Sequence, residues 1–214
     1  MPMDYLQQAT ALARRHGLAA HLDGARLFNA AVATAEPGET AAAAARRITS
    51  HFDSVSVCFS KGLGAPVGSA LCGSKELIAR AHRVRKMAGG GMRQSGLLAA
   101  AAGYALEHHL ERLADDHALA QRLARGLSGI AGLQVRSAQT NIVFLDVADG
   151  RGPDLLAFLK ARGILATGLI GLRLVTHLDV DAAGIDRAME AVTAFFGQSA
   201  ATAPVSATQS ASVY

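Results

Sequence analysis

The sequence predicts an α/β protein built on a short parallel sheet, with a smaller α/β or α+β unit following it. Three observations predict this. A short apolar run at residues 18–22, an alanine-rich helix former at 40–48 and a β-rich run at 54–59 read as strand, crossover helix, strand, a unit that is parallel and right-handed. The second strand runs straight into a glycine-rich turn, and open parallel sheets bind ligands at the carboxyl ends of their strands. From residue 141 onward, strand and helix patterns alternate again.

Residues 3–16 have the spacing of an amphipathic helix, with Pro2 near its start and Gly17 just after its end. The strand at 18–22 follows, and Asp23-Gly24-Ala25-Arg26 turns the chain over the sheet edge. In the run 54–59, Val55 and Val57 fall on one face. Asp23 and Lys61 both lie just past strand ends, where a polar side chain faces a crevice. Residues 62–68 hold three glycines and one proline, a composition suited to backbone that passes close to a ligand. A helix is predicted over 74–87, and Gly89-Gly90-Gly91 breaks the chain after it. Residues 95–126 read as one long helical region, a spine between two domains, with Leu106, Leu110, Leu113, Leu119, Leu123 and Leu127 as its buried stripe. Then come a strand at 141–147, a helix at 154–162 after Pro153, a strand at 172–176 and a helix at 182–196. From Gly197 the small polar residues cannot bury enough surface to order themselves, so a disordered tail is expected. No internal repeat is present.

Half of the 214 residues are apolar (50%), enough to bury a core for one large domain or two small ones. Twenty-one basic residues against 17 acidic ones give a net charge of only +4, too weak and too evenly spread to indicate nucleic acid. The absence of Trp also removes the stacking platforms of a single-strand binder. Cys58 and Cys72 are the two cysteines, and no signal peptide or membrane-spanning apolar run is found. A reducing cytoplasm without a structural disulfide is the expectation. The histidines His51, His82, His108, His109 and His117 show no metal-like arrangement, and His177, after a strand, reads as structural.

Lys61 stands on a glycine-bounded turn, Ser60-Lys61-Gly62-Leu63-Gly64, directly after a buried strand. A lysine that forms an imine must be partly unprotonated and held still, which desolvation and a rigid turn supply. The competing reading is a solvated lysine in a flexible loop. Asp23 is its natural partner, because pyridoxal phosphate works as an electron sink only while a carboxylate keeps its ring nitrogen protonated. An Asx-turn or helix cap is the ordinary alternative for an Asp before Gly.

Four stretches in order carry a resemblance: His21-Leu22-Asp23-Gly24-Ala25-Arg26-Leu27-Phe28-Asn29-Ala30, Ser60-Lys61-Gly62-Leu63-Gly64-Ala65-Pro66-Val67-Gly68-Ser69, Arg85-Lys86-Met87-Ala88-Gly89-Gly90-Gly91-Met92-Arg93-Gln94, and Arg173-Leu174-Val175-Thr176-His177-Leu178-Asp179-Val180. Together they resemble the low-specificity L-threonine aldolases over residues 2–197. The resemblance implies fold type I of the pyridoxal-phosphate enzymes. Residues 1–94 would be part of the large cofactor domain, 95–130 a helical connection, 131–197 the small C-terminal domain and 198–214 the tail. It also implies a homo-oligomer, a dimer or dimer of dimers, acting on a small amino acid. Position by position, Lys61 resembles the Schiff-base lysine and Asp23 the partner of the pyridine nitrogen. Arg26 matches an arginine beside cofactor and substrate carboxylate, and Arg173 a second carboxylate-binding arginine. Lys86 and Arg93 match basic residues that approach the site from the neighbouring subunit, near the phosphate; helix-end charges on a solvated face are the alternative.

The implied activity is retro-aldol cleavage of threonine or allo-threonine to glycine and acetaldehyde, with the arginines orienting the breaking bond. Members of the family are longer, with a phosphate cup and a ring-stacking histidine before the first motif; the sequence is therefore expected to be an N-terminally truncated form. Two rival readings are a catalytically inert remnant that keeps fold and subunit contacts, and another type I lyase or aminotransferase.

Overall fold

The computed structural model describes residues 1–168 and 171–201, which form two compact units. The first comprises Met1–Ala120 with two short return segments, Gln139–Asn141 and Thr176–Val180. The second comprises Gln121–Ala138, Ile142–Val175 and the chain from Asp181.

In the first unit, helix α1 (Met3–Arg15) buries Leu6 and Thr10, and the Thr10 hydroxyl donates to the Leu6 carbonyl at 2.8 Å. Strand β1 (His21–Gly24) follows, and then helix α2 (Leu27–Thr34) and helix α3 (Ala41–Thr49). Thr40 caps α3 by accepting from the Ala43 N–H at 3.2 Å, and Ala41, Ala44, Ala45 and Ile48 face the core. Strand β2 (Ser54–Cys58) pairs parallel to β1, with Asp23 opposite Ser56 and Gly24 opposite Val57. The valine alternation sends Val55 and Val57 into a core with Leu6, Leu27, Ala31 and Ile48. The predicted strand, crossover and strand are all present, with the first strand shifted to 21–24, so that Asp23 lies within β1 rather than past its end.

Strand β3 (Ser69–Gly73) lies antiparallel to β2 and completes a sheet of order β1-β2-β3. The sequence does not reveal this strand: its Ser-Ala-Leu-Cys-Gly run is mostly exposed and carries no apolar alternation, while the unit read as parallel, β1 and β2, is parallel. Helix α4 (Lys75–Met87), capped by Ser74, buries no residue. The long helical region expected over 95–126 consists of two helices, α5 (Gly96–His108) and α6 (Leu113–Leu127). The chain breaks at residues 109–112, where Leu113 starts α6 fully buried; α6 then passes from the first unit into the second.

The second unit holds a sheet of order β4-β5-β6, from β4 (Leu133–Gln139), β5 (Ile142–Val147) and β6 (Leu172–Val175), the last pair antiparallel. β4 was not foreseen, because its Arg, Ser and Gln obscure the alternation. Helix α7 (Gly152–Lys160) takes Pro153 into its first turn, where a missing N–H costs nothing. Helix α8 (Ala182–Ala201) packs through Ile185, Val192, Phe195 and Phe196. It continues past Gly197, where the sequence reading begins the tail; residues 202–214 lie outside the described residues. No helix among the described residues is long and apolar enough to cross a membrane.

Candidate active site

The parallel pair β1 and β2 ends with two charged side chains, Asp23 and Lys61. Both are exposed, and both act on the Cys58 thiol at the end of β2. That thiol is held below its usual range mainly by its hydrogen bond with Ser60; the Lys61 charge lowers it further, and the Asp23 charge opposes it. Opposite charges therefore converge on one sheet end. The Asp23 Oδ1 accepts from the Ala25 N–H at 3.1 Å, the Asx-turn anticipated as the alternative, which fixes the carboxylate at the strand terminus.

Lys61 rides on a turn fastened from below. The Gly64 N–H donates to the Lys61 carbonyl (2.9 Å), Ala65 N–H to the Phe59 carbonyl (3.0 Å) and Phe59 N–H to Gly68 (3.0 Å). Gly64 has φ +73, a conformation that favours glycine. Gly62 presses on buried Asn29: a Cβ there would sit 2.7 Å from the Asn29 Oδ1 and 3.0 Å from a Leu113 methyl. Leu63 and Ala65 bury themselves with Ala105 and Leu113, and His109 Nδ1 lies 2.6 Å from the Leu63 carbonyl. The turn's backbone is tied down, but the Lys61 side chain itself is exposed rather than desolvated, as the competing reading of a solvated lysine has it. Under the turn, Asn29 Nδ2 is 3.3 Å from His117 Nε2, and burial pushes the His117 imidazole below its usual range.

Arg26 stands at the start of α2 and donates through Nη1 to the Asn141 side-chain oxygen at 3.0 Å. With Asp23 and Gly24 it lines a cavity of about 200 Å³, bounded by Met3, Leu6 and Ile48. Arg173 belongs to the second unit, on β6, where its backbone bonds Thr167 in both directions. Its Nε is a buried donor without a hydrogen-bond partner among the described residues, a group that an anion would satisfy. Lys86 and Arg93 share a different depression, of about 530 Å³, with His82, Arg83 and Arg85; neither Lys61 nor Asp23 lines it. Asn29, His109, His117 and Asn141 went unremarked in the sequence as parts of the site. They reach it from 46 to 115 residues away, or by packing, and leave no local pattern.

A lysine on a fastened turn and a carboxylate on the neighbouring parallel strand share one sheet end, and the chain belongs to the beta-eliminating lyase family, which matches residues 1–150. The fold is that of the type I pyridoxal-phosphate enzymes: the solved Leishmania major threonine aldolase superposes with a TM-score of 0.70 at 21% identity, over 89% of this chain and 56% of that one. In sequence, the chain is 46% identical over 180 residues to the low specificity L-threonine aldolase of Escherichia coli strain K12, covering 84% of this chain and 52% of that protein. It is 47% identical over 151 residues to the probable low-specificity L-threonine aldolase 2 of Arabidopsis thaliana, covering 70% of this chain and 41% of the relative. The chain spans about half the length of the curated relatives it matches.

Proposed function

We propose that this chain carries the lysine-bearing part of a pyridoxal-phosphate-dependent lyase that cleaves L-threonine or L-allo-threonine to glycine and acetaldehyde. The observation that carries the reading is the placement of Lys61, on its fastened turn just after β2, at the same sheet end as Asp23 on the adjacent parallel strand β1. The residues fit the cofactor: an exposed amine without a hydrogen bond among the described residues, and a carboxylate fixed at the same sheet end. The 46% and 47% identical threonine aldolases support the choice of substrate.

Bound there, pyridoxal phosphate supplies an electron sink for the pair released when the Cα–Cβ bond breaks. Lys61 would anchor it through its amine. Asp23 would hold the proton on the pyridine nitrogen. Arg26 and Arg173 would bind the substrate carboxylate, and planar guanidinium groups are suited to fixing its orientation. Lys86 and Arg93 would serve the phosphate of a neighbouring copy in a homo-oligomer, a dimer of dimers, and the enzyme would work in the cytoplasm.

The test is the visible absorption of the 214-residue chain with added pyridoxal phosphate, followed by an assay for glycine formed from threonine. Wild type should show the band of a lysine-bound cofactor and turn over. Lys61→Ala should lose both while keeping its far-UV spectrum, because an exposed side chain contributes little packing. A retained band in the variant would assign the cofactor to another lysine. A band without glycine would point to a different type I lyase, and no band in wild type to an inert chain.

A further inference from the structure

In the turn that carries Lys61, one peptide plane has both of its polar groups engaged. The Gly64 N–H donates to the Lys61 carbonyl at 2.9 Å. The Leu63 carbonyl of the same peptide accepts from His109 Nδ1 at 2.6 Å, a side chain 46 residues further along. A carbonyl oxygen can only accept, so Nδ1 carries the ring proton, and the bond holds whether or not Nε2 is protonated. Among the described residues it is the one side-chain hydrogen bond that reaches the backbone of residues 61–68. His109 is itself fixed at the end of α5. Its N–H donates to the Ala105 carbonyl at 2.9 Å, and the Tyr104 ring meets the imidazole edge-on, with centroids 5.5 Å apart. Gly64 makes such a pin necessary. At φ +73 it occupies a region that glycine enters about as readily as negative φ, so rotation of the Leu63–Gly64 peptide meets little intrinsic resistance. That rotation would turn the Leu63 carbonyl away from His109 and the Gly64 N–H away from the Lys61 carbonyl together.

We infer that His109 is a positioning residue for Lys61: by pinning the Leu63–Gly64 peptide it fixes the backbone that presents the amine at the sheet end shared with Asp23. The inference rests on the proposed role of Lys61 and deepens it. The Lys61 side chain is exposed, so its surroundings do not order it and only its backbone can be set in advance. A turn free to rotate would have to be ordered when the amine bonds an aldehyde-bearing cofactor, at the expense of affinity. His109 removes that cost beforehand, and its effect runs through the Leu63–Gly64 peptide.

Two substitutions separate the bond from the bulk of the ring. His109→Asn returns an N–H donor as many bonds from the backbone as Nδ1, whereas His109→Leu keeps a side chain of similar reach without a donor. The first readout needs no cofactor: amide hydrogen exchange in the 214-residue chain, at Gly64 and, as a reference for the fold, at Val55 and Val57 of β2. His109→Leu should speed Gly64 exchange by roughly threefold to tenfold, the range for one lost neutral hydrogen bond, with Val55 and Val57 changed far less. His109→Asn should stay near wild type. The second readout is affinity for pyridoxal phosphate, followed by the visible band of the lysine-bound cofactor. It should weaken by about threefold to tenfold in His109→Leu and return in His109→Asn. Unchanged Gly64 exchange in His109→Leu would overturn the inference. So would an acceleration shared equally by Val55 and Val57, because His109 would then serve the fold as a whole. Fast Gly64 exchange in His109→Asn would overturn it too, and that arm decides even if His109→Leu fails to fold. A Gly64 response without any change in cofactor affinity would overturn the step from the turn to Lys61. If wild type forms no band although Gly64 responds, the reading of Lys61 as the cofactor's lysine fails, while the hold of His109 on its turn stands.

Discussion

His117 is the titrating group most tightly bound to the architecture of the Lys61 turn. Burial lowers its pKa from the ordinary 6.5, with the nearby Asp116 charge opposing, so the folded protein holds a neutral imidazole whose Nε2 can accept from Asn29. A depressed histidine pKa means that the unfolded chain takes up protons first as the pH falls. The stabilisation is complete above about pH 6.5 and declines below it, until the folded state also protonates. Urea midpoints recorded from pH 7.5 to 5.5 should therefore fall, and His117→Gln should flatten that slope; an unchanged slope would remove His117 from the account. Glu39 behaves alike in a more acidic window. Its bond to Arg47 holds it at about 2 instead of 4.5, a contribution present above pH 4.5 and lost as the pH drops toward 2. At this scale Lys61 and Asp23 were legible because glycine-bounded turns at strand ends are local patterns. Asn29 and Asn141 were not, since a buried amide reads in sequence as any surface polar residue.

Among the elements, α3 depends most visibly on a single terminal contact. Thr40 accepts from Ala43 N–H, and the helix it starts delivers four residues to the core of the first unit. Thr40→Ala should cost ~1 kcal/mol by urea denaturation, the usual price of a lost N-cap. A loss under about 0.5 kcal/mol would show that packing alone holds the helix start. Helices with an apolar stripe, such as α1, α3 and α7, were readable to within a few residues, and so was β2 with its paired valines. β3 and β4 were missed because each is rich in polar or small residues, and hydrogen bonding to a neighbouring strand, which sequence periodicity does not report, makes them strands. The break between α5 and α6 leaves no mark in the sequence for the opposite reason: the leucine spacing runs on across it, although Leu113 at the start of α6 joins Leu63 in a buried cluster.

At the scale of the whole molecule, the first unit leaves apolar side chains in water along α4 and after it. Val84 (61% exposed), Met87 (83%), Met92 (57%) and Leu97 (78%) stand out on a stretch whose helix buries nothing within its own chain. Such a cluster is expected at an interface, in keeping with the proposed homo-oligomer. Sedimentation velocity should show the chain self-associated at micromolar concentration, and Met87→Glu with Leu97→Glu should shift it toward monomer. A wild-type monomer would contradict the proposal.

The first unit is also not a continuous stretch of sequence. Gln139–Asn141 and Thr176–Val180 come back to it from beyond the second unit's first strand and after its last, and they bring Asn141 to Arg26. No single cut in the gene yields that unit entire. A clone ending near residue 120 would encode Lys61 and Asp23 but omit the amide that secures Arg26, so the second half of the reading frame is a component of the first half's site.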